Sequence, residues 1–146
     1  MRLGLLALVI FCQAALAEDF IVRSSDVVSV YDGDTFTVNI PNVPAVLGEQ
    51  IGIRINGIDT PEYRSTCATA EDRAAERALA IKSKNFLEEQ LLDAKYIEIR
   101  NVSRDKYFRL DADVFVNDIS MGQLLLDHGY AIAYDGGTKI SWCGKR

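Results

Sequence analysis

Asp34-Thr35, Arg54 and Asp59-Thr60-Pro61-Glu62 fall within one short stretch of the chain, and a second arginine, Arg109, closes the segment Arg104-Asp105-Lys106-Tyr107-Phe108-Arg109. Carboxylates suit a hard cation, a further acid can place a water, and two guanidiniums can donate in forks to phosphate oxygens. Cleaving a phosphodiester needs these three supplies together: charge neutralisation, a positioned water, and donors aimed at the oxygens of the developing phosphorane. The residue types therefore point to phosphodiester hydrolysis. Arg54, Glu62 and Arg109 are the candidate catalytic side chains, and Asp34 and Asp59 the candidate ligands of a calcium ion.

Side chains so far apart in sequence meet only if a scaffold brings them together. Val27 to Tyr31 and Thr35 to Ile40 are β-branched and aromatic runs separated by Asp32-Gly33, a strong hairpin signal. Residues 41 to 48, with Pro41, Pro44 and Gly48, read as a loop. From Ile51 to Ile58 the pattern alternates, with Ile51, Ile53 and Ile55 on one face and Arg54 on the other. Thr69, with Asp72 three residues on, caps a long helix to about Leu92, and its apolar stripe is read as Ala75, Ala78, Leu79 and Phe86. Arg73, Glu76, Arg77, Lys82 and Lys84 are assigned to a solvated face. Tyr96 to Val102 and Arg109 to Val116 are two more strands, the second setting Leu110, Ala112, Val114 and Val116 opposite Arg109, Asp111 and Asp113. Ser120 opens a short helix to His128, and Tyr130 to Tyr134 is a last extended piece. This order predicts a β-rich α+β domain, an OB-fold five-stranded barrel with two appended helices.

Residues 1 to 17 read as an export signal: Arg2, an apolar run to Leu16, and Ala15-Leu16-Ala17 before Glu18. The apolar run is too short for a membrane span, and Phe11 before Cys12 argues against a lipid-attachment site. Residues 18 to 146 then form a single domain, expected to be periplasmic or secreted, monomeric, and without stable membrane association. The chain carries 21 acids against 16 Lys and Arg, a net charge of −5, which is an unexpected sign for a partner of polyanions and leaves a bound cation to do much of the attracting. Cys67 and Cys143 remain after the signal is removed. In an oxidising compartment they read as a disulfide, with two buried free thiols as the alternative. Their spacing from His128 shows no zinc pattern.

Three separated blocks, Asp32-Gly33-Asp34-Thr35, Arg54 to Glu62 and Asp105 to Arg109, resemble the thermonuclease (staphylococcal nuclease-like) family in residue type, order and approximate spacing. The resemblance runs from about Val27 to Tyr134. It implies an OB barrel and calcium-dependent cleavage of DNA and RNA, single strands preferred, leaving 3′-phosphate ends. It further implies the Thr60 carbonyl as the third protein ligand of calcium, Asp32 as an outer carboxylate, Glu62 as the base acting on water, Arg54 on the scissile phosphate, and Arg109 near the leaving 5′-oxygen. Lys106, Tyr107 and Tyr134 are assigned to a nucleotide subsite, with core packing as the competing reading of the aromatics. Asp32 reads equally well as a hairpin-turn residue.

Phe108 stands where the family usually has glycine, so the backbone aiming Arg109 is expected to differ and the ring to narrow the cleft. The stretch Tyr63 to Cys67 is less basic than the family's lysine-rich loop. No sequence for a third helix follows Tyr134, and a Cys67–Cys143 bridge would tether the tail instead. His128 suits the last turn of its helix electrostatically and has no catalytic companion, while Trp142 is read as packing the tail. The competing function is a noncatalytic OB module that binds single-stranded nucleic acid, which would call for an excess of basic and stacking residues. A structural or adhesion domain ranks below both.

Overall fold

The computed structural model describes residues 19–105 and 107–145, so the signal reading at residues 1–17 and the subsite assignment of Lys106 lie outside the described residues. The strands are β1 (Phe20–Val22), β2 (Val27–Val30), β3 (Thr35–Val38), β4 (Ile51–Ile55), β5 (Ile58–Asp59), β6 (Ile97–Arg104), β7 (Leu110–Val116), β8 (Ile119–Ser120) and β9 (Ile132–Ala133). The helices are α1 (Ala45–Gly48), α2 (Ala70–Leu92) and α3 (Met121–Asp127). The fold is the α+β OB type: a curled mixed sheet in the order β1-β6-β7-β4-β3-β2, with a separate β5–β9 ribbon.

Alternation builds the sheet. Along β4 and β7 every odd position counted from the first residue is buried, so the isoleucines of one strand and the Leu, Ala and Val of the other share a face while Arg54 and Asp111 share the opposite one. The two strands pair in parallel with Ile53 opposite Leu110 and Arg54 opposite Asp111. This is the pairing that carries the second arginine's segment to the first. On the inner side Phe36, Val38, Ile53, Ile97 and Ile99 are wholly buried and pack with Leu87 and Leu91 from α2 and Leu125 from α3. Helices α2 and α3 start on the expected residues, Thr69 accepting from the Asp72 N–H and Ser120 from that of Gln123.

Three local expectations need correcting. The strand read from Ile51 to Ile58 stops at Ile55, because Asn56-Gly57 makes a turn with Gly57 at φ +78°. The chain restarts as β5, antiparallel to β9. The buried stripe of α2 is Glu76, Ala80, Ser83, Leu87 and Leu91, displaced from the one expected, with Ala78 exposed. Glu76, placed on the solvated face from sequence, is among the buried residues. The loop at 41–48 contains the one-turn α1, and β1, β8 and the β5–β9 ribbon were not foreseen.

Cys67 and Cys143 form a disulfide with their Cα atoms 5.6 Å apart. It fastens the tail after β9 to the loop between β5 and α2. No helix among the described residues is long and apolar enough to cross a membrane.

Candidate active site

One cleft of about 530 Å³ is lined by Asp32, Asp34, Arg54, Asp59, Thr60, Glu62, Tyr107, Arg109 and Tyr134. Every candidate site residue outside the cysteines is thus brought to one place, apart from the undescribed Lys106. The hairpin between β2 and β3 delivers Asp34, whose own N–H donates to Asp32 Oδ1 at 3.2 Å. Next along the chain, Thr35 donates through its hydroxyl to Asp34 Oδ1 at 2.8 Å and pairs across the sheet with Arg54. Arg54 therefore lies beside Asp34, its Nη2 3.4 Å from Asp34 Oδ2 and 4.0 Å from Asp59 Oδ1. The Asn56-Gly57 turn matters here, because it redirects the chain so that Asp59 and Thr60 are buried at the cleft floor.

Two acids buried to 4% and 3% exposure share the nearby Arg54 Nη2, and Asp59 also meets Lys139 Nζ from the tail at 2.7 Å. Burial, then the neighbouring Asp32 charge, push the Asp34 carboxyl from 3.8 up to about 7, against the opposing pull of Arg54 and the Thr35 hydroxyl. A pair of buried hard oxygen ligands, next to a threonine whose carbonyl can add a third, fits calcium in donor chemistry. The only close set of three acid or sulfur ligands among the described residues, Cys67, Glu76 and Cys143, is closed to soft metals because its sulfurs are bonded to each other.

Arg109 is held by Asp105. Nε and Nη2 approach Asp105 Oδ2 at 2.9 and 2.8 Å, while the backbone N–H groups of Arg109 and Tyr107 donate to Oδ1 at 3.0 and 2.7 Å. Burial opposes the charge on Asp105, but these donors outweigh it and hold the carboxyl below its ordinary range. The arginine's stem lies across β4 at Gly52, where an added Cβ would stand 3.1 Å from Arg109 Cγ. The Tyr107 ring sits 5.4 Å from the Arg109 guanidinium and the Tyr134 ring 5.8 Å from that of Arg54, so both subsite aromatics border an arginine, with Tyr107 well exposed rather than in the core.

Phe108 lies in the left-handed region, at φ +64°. Its ring is exposed, stacks under Arg104 at 4.3 Å, and is not part of the cleft wall, which corrects the expectation that it narrows the cleft. A bulky side chain in the left-handed region is strained. Phe108→Gly is accordingly expected to raise the free energy of unfolding by about 1 kcal/mol in urea titrations, with the Asp105–Arg109 pair intact.

Glu62 stands at the cleft rim. Its backbone N–H donates to Glu76 Oε1 at 3.1 Å, and its own Oε1 accepts from Lys139 Nζ at 3.1 Å. The Cys67 sulfur touches Glu76 Oε2 at 3.3 Å, a contact without a proton from the sulfur, since the disulfide has none to give. Sequence reasoning overlooked four contributors here: Asp105, Glu76, Lys139 and Trp142. Asp105 was signalled by lying four residues before Arg109. Lys139 and Trp142 were signalled only indirectly, because a Cys67–Cys143 bridge must bring the neighbours of Cys143 towards Glu62. Trp142 does pack the tail, at 5% exposure, and its Nε1 also donates to Asp59 Oδ2 at 3.3 Å. His128 bonds the Leu124 carbonyl and meets the Phe86 ring at a tilt, centroids 4.7 Å apart, outside the cleft lining.

Against known proteins, the sequence model of the family described as Staphylococcal nuclease homologue matches residues 52–141. No curated protein matches the chain.

Proposed function

Because the chain belongs to the staphylococcal nuclease homologue family, whose members are nucleases or nucleic-acid binders, we propose that it is an exported, calcium-dependent endonuclease that hydrolyses phosphodiester bonds of DNA and RNA and leaves 3′-phosphate ends. The observation that carries this reading is the convergence of Asp34, Asp59, Arg54, Glu62 and Arg109 on one cleft. Single strands are the preferred substrate, since a target phosphate must reach the cleft floor, and the protein acts as a monomer. Export is supported by the signal-like residues 1–17 together with the disulfide.

Asp34, Asp59 and the Thr60 carbonyl would hold calcium, whose contribution is to neutralise and orient a phosphate oxygen. Glu62 accepts the proton of the attacking water on a carboxylate oxygen. Arg54 grips the scissile phosphate from beside the two aspartates. Arg109, aimed by Asp105, donates to the oxygens that gain charge as the 5′-oxygen leaves in line with the incoming water. Tyr107, Tyr134 and Lys106 are the proposed contacts for the flanking nucleotide.

Single-stranded DNA incubated with the mature protein is expected to be cut with calcium and left whole when a chelator is added. Cleavage under both conditions, or under neither, overturns the mechanism. A noncatalytic OB-type binding module would instead retain the strand in both without cutting it, and its binding would survive loss of Glu62 or Asp34.

The raised Asp34 carboxyl sets a pH dependence. A folded-state pKa of about 7 against 3.8 means that this group favours the metal-free fold fully below 3.8, and that its contribution is lost as the pH rises through 7. A cation that needs the carboxylate must displace the proton. Calcium affinity measured by titration calorimetry is expected to rise about tenfold per pH unit from pH 5 towards 7 and then level off, with proton release on binding only below the plateau. A flat affinity over that range would show that Asp34 is not a ligand.

A further inference from the structure

The tail that follows β9 does not simply cover the domain. It sends Lys139 into the cleft, where Nζ lies 2.7 Å from Asp59 Oδ1 and 3.1 Å from Glu62 Oε1. Three residues later the Trp142 indole donates to the other oxygen of Asp59. Both oxygens of one proposed metal ligand, and one oxygen of the proposed base, are thus engaged by a single segment. The next residue, Cys143, is bonded to Cys67 on the loop that carries Glu62.

We propose that residues 136–143 form a strap that supplies an internal cation to the metal site, so that Lys139 competes with calcium for Asp59 and keeps Glu62 occupied until the ion arrives. The inference rests on the calcium-nuclease reading above. Two cations cannot share Asp59 Oδ1 at contact distance without strong repulsion, and an acid hydrogen-bonded to an ammonium is a poor acceptor for a water proton. A divalent ion brings twice the charge of the ammonium to a floor whose two aspartates are nearly wholly buried. Lys139, half exposed, can swing out to solvent at little cost.

The geometry also explains why the strap is fastened where it is. Lys139 Nζ reaches Asp59 and Glu62 together, so one ammonium bridges the floor of the cleft to its rim. The disulfide joins a point five residues after Glu62 to a point four residues after Lys139. A tether that short gives the lysine a high effective concentration at the acids and returns it there whenever the ion leaves. At the start of the strap, Tyr134 Oη donates to the Gly137 carbonyl and Gly137 N–H to Asp135 Oδ1, which shapes the approach to the cleft. The device sets a calcium threshold: acids that are self-neutralised at low calcium and released when the ion is abundant.

The test is calcium binding by titration calorimetry on the disulfide-intact protein, with Lys139→Met and Lys139→Arg alongside the unaltered chain. Lys139→Met is expected to bind calcium about tenfold more tightly, because the competent state is no longer shared with the lysine, and Lys139→Arg to stay near the unaltered value. Emission from Trp142, the only tryptophan, is expected to change over the same calcium range in the unaltered protein. Equal or weaker binding by Lys139→Met, or Trp142 emission that stays constant through saturation, overturns the strap and leaves the nuclease reading standing. Absence of calcium binding in all three proteins, with no cleavage, overturns both.

Discussion

Replacing Arg109 with alanine is expected to lower kcat by about 10²–10³ while the protein stays folded. Among the described residues the side-chain hydrogen bonds of Arg109 go to Asp105, which orients it from one edge, and it lines the same cleft as Asp34, Asp59 and Glu62. Arg54, in contrast, already spends part of its fork on Asp34. A donor that meets the phosphate chiefly when charge develops there lowers the barrier without tightening the ground state, so the loss appears in kcat more than in KM. If Arg109 were only an exposed salt-bridge partner, its removal would cost about 0–1 kcal/mol of stability and little rate. Asp105→Asn keeps the shape but weakens the aim, and its kcat is expected between those of the unaltered enzyme and Arg109→Ala. Steady-state cleavage of a single-stranded oligonucleotide, with urea unfolding of each variant, decides the matter. A kcat for Arg109→Ala within threefold of the unaltered protein would remove Arg109 from the mechanism.

Opening the Cys67–Cys143 bridge, by the double Cys→Ser variant, is expected to cost about 4 kcal/mol of stability. The bonded cysteines are 76 residues apart in sequence, and the entropy regained by freeing so long a loop in the unfolded chain sets that figure. For a domain of this size such a loss is a large share of the total. It also lowers Tm by more than about 10 °C. The effect is not confined to the unfolded state, because the tail released would take Trp142 and Lys139 away from Asp59. Denaturant titrations of the variant, and of the reduced protein, read the size of the change. An unaltered midpoint would mean that the bridge carries no stability and that the tail is held by its other contacts alone.

What the sequence disclosed, and what it hid, divides by distance along the chain. Local chemistry was legible: Asp32-Gly33 made the hairpin that presents Asp34, Thr69 and Ser120 began α2 and α3, and the alternation of Leu110 to Val116 set the buried face of β7. Motif blocks carried the site, since Asp34, Arg54, Asp59, Glu62 and Arg109 do share a cleft. The Asn56-Gly57 turn was present in the sequence but was overridden by an apolar alternation that continued to Ile58. The buried face of α2 was misplaced because a stripe drawn from apolar residues cannot include a glutamate. Glu76 is buried for a reason seen only in three dimensions, namely that it accepts the Glu62 N–H next to the disulfide. Lys139 and Trp142 were hidden for the same reason, their partners lying far back in the chain. Phe108 shows the converse, a residue out of keeping with its position whose backbone is held by neighbours that hydrogen-bond Asp105.

The parallel ladder between β4 and β7 splits the proposed site into two parts far apart in the chain. Every acid proposed to bind the ion or activate water, together with Arg54, is encoded before α2 begins, whereas Arg109 arrives only when the Leu110 segment docks alongside Ile53 to Ile55. On the nuclease reading, a molecule in which this ladder has opened keeps its proposed ion ligands and lacks the donor for the transition state. On that reading, one seam between two strands joins the phosphate-facing arginine to the ion site.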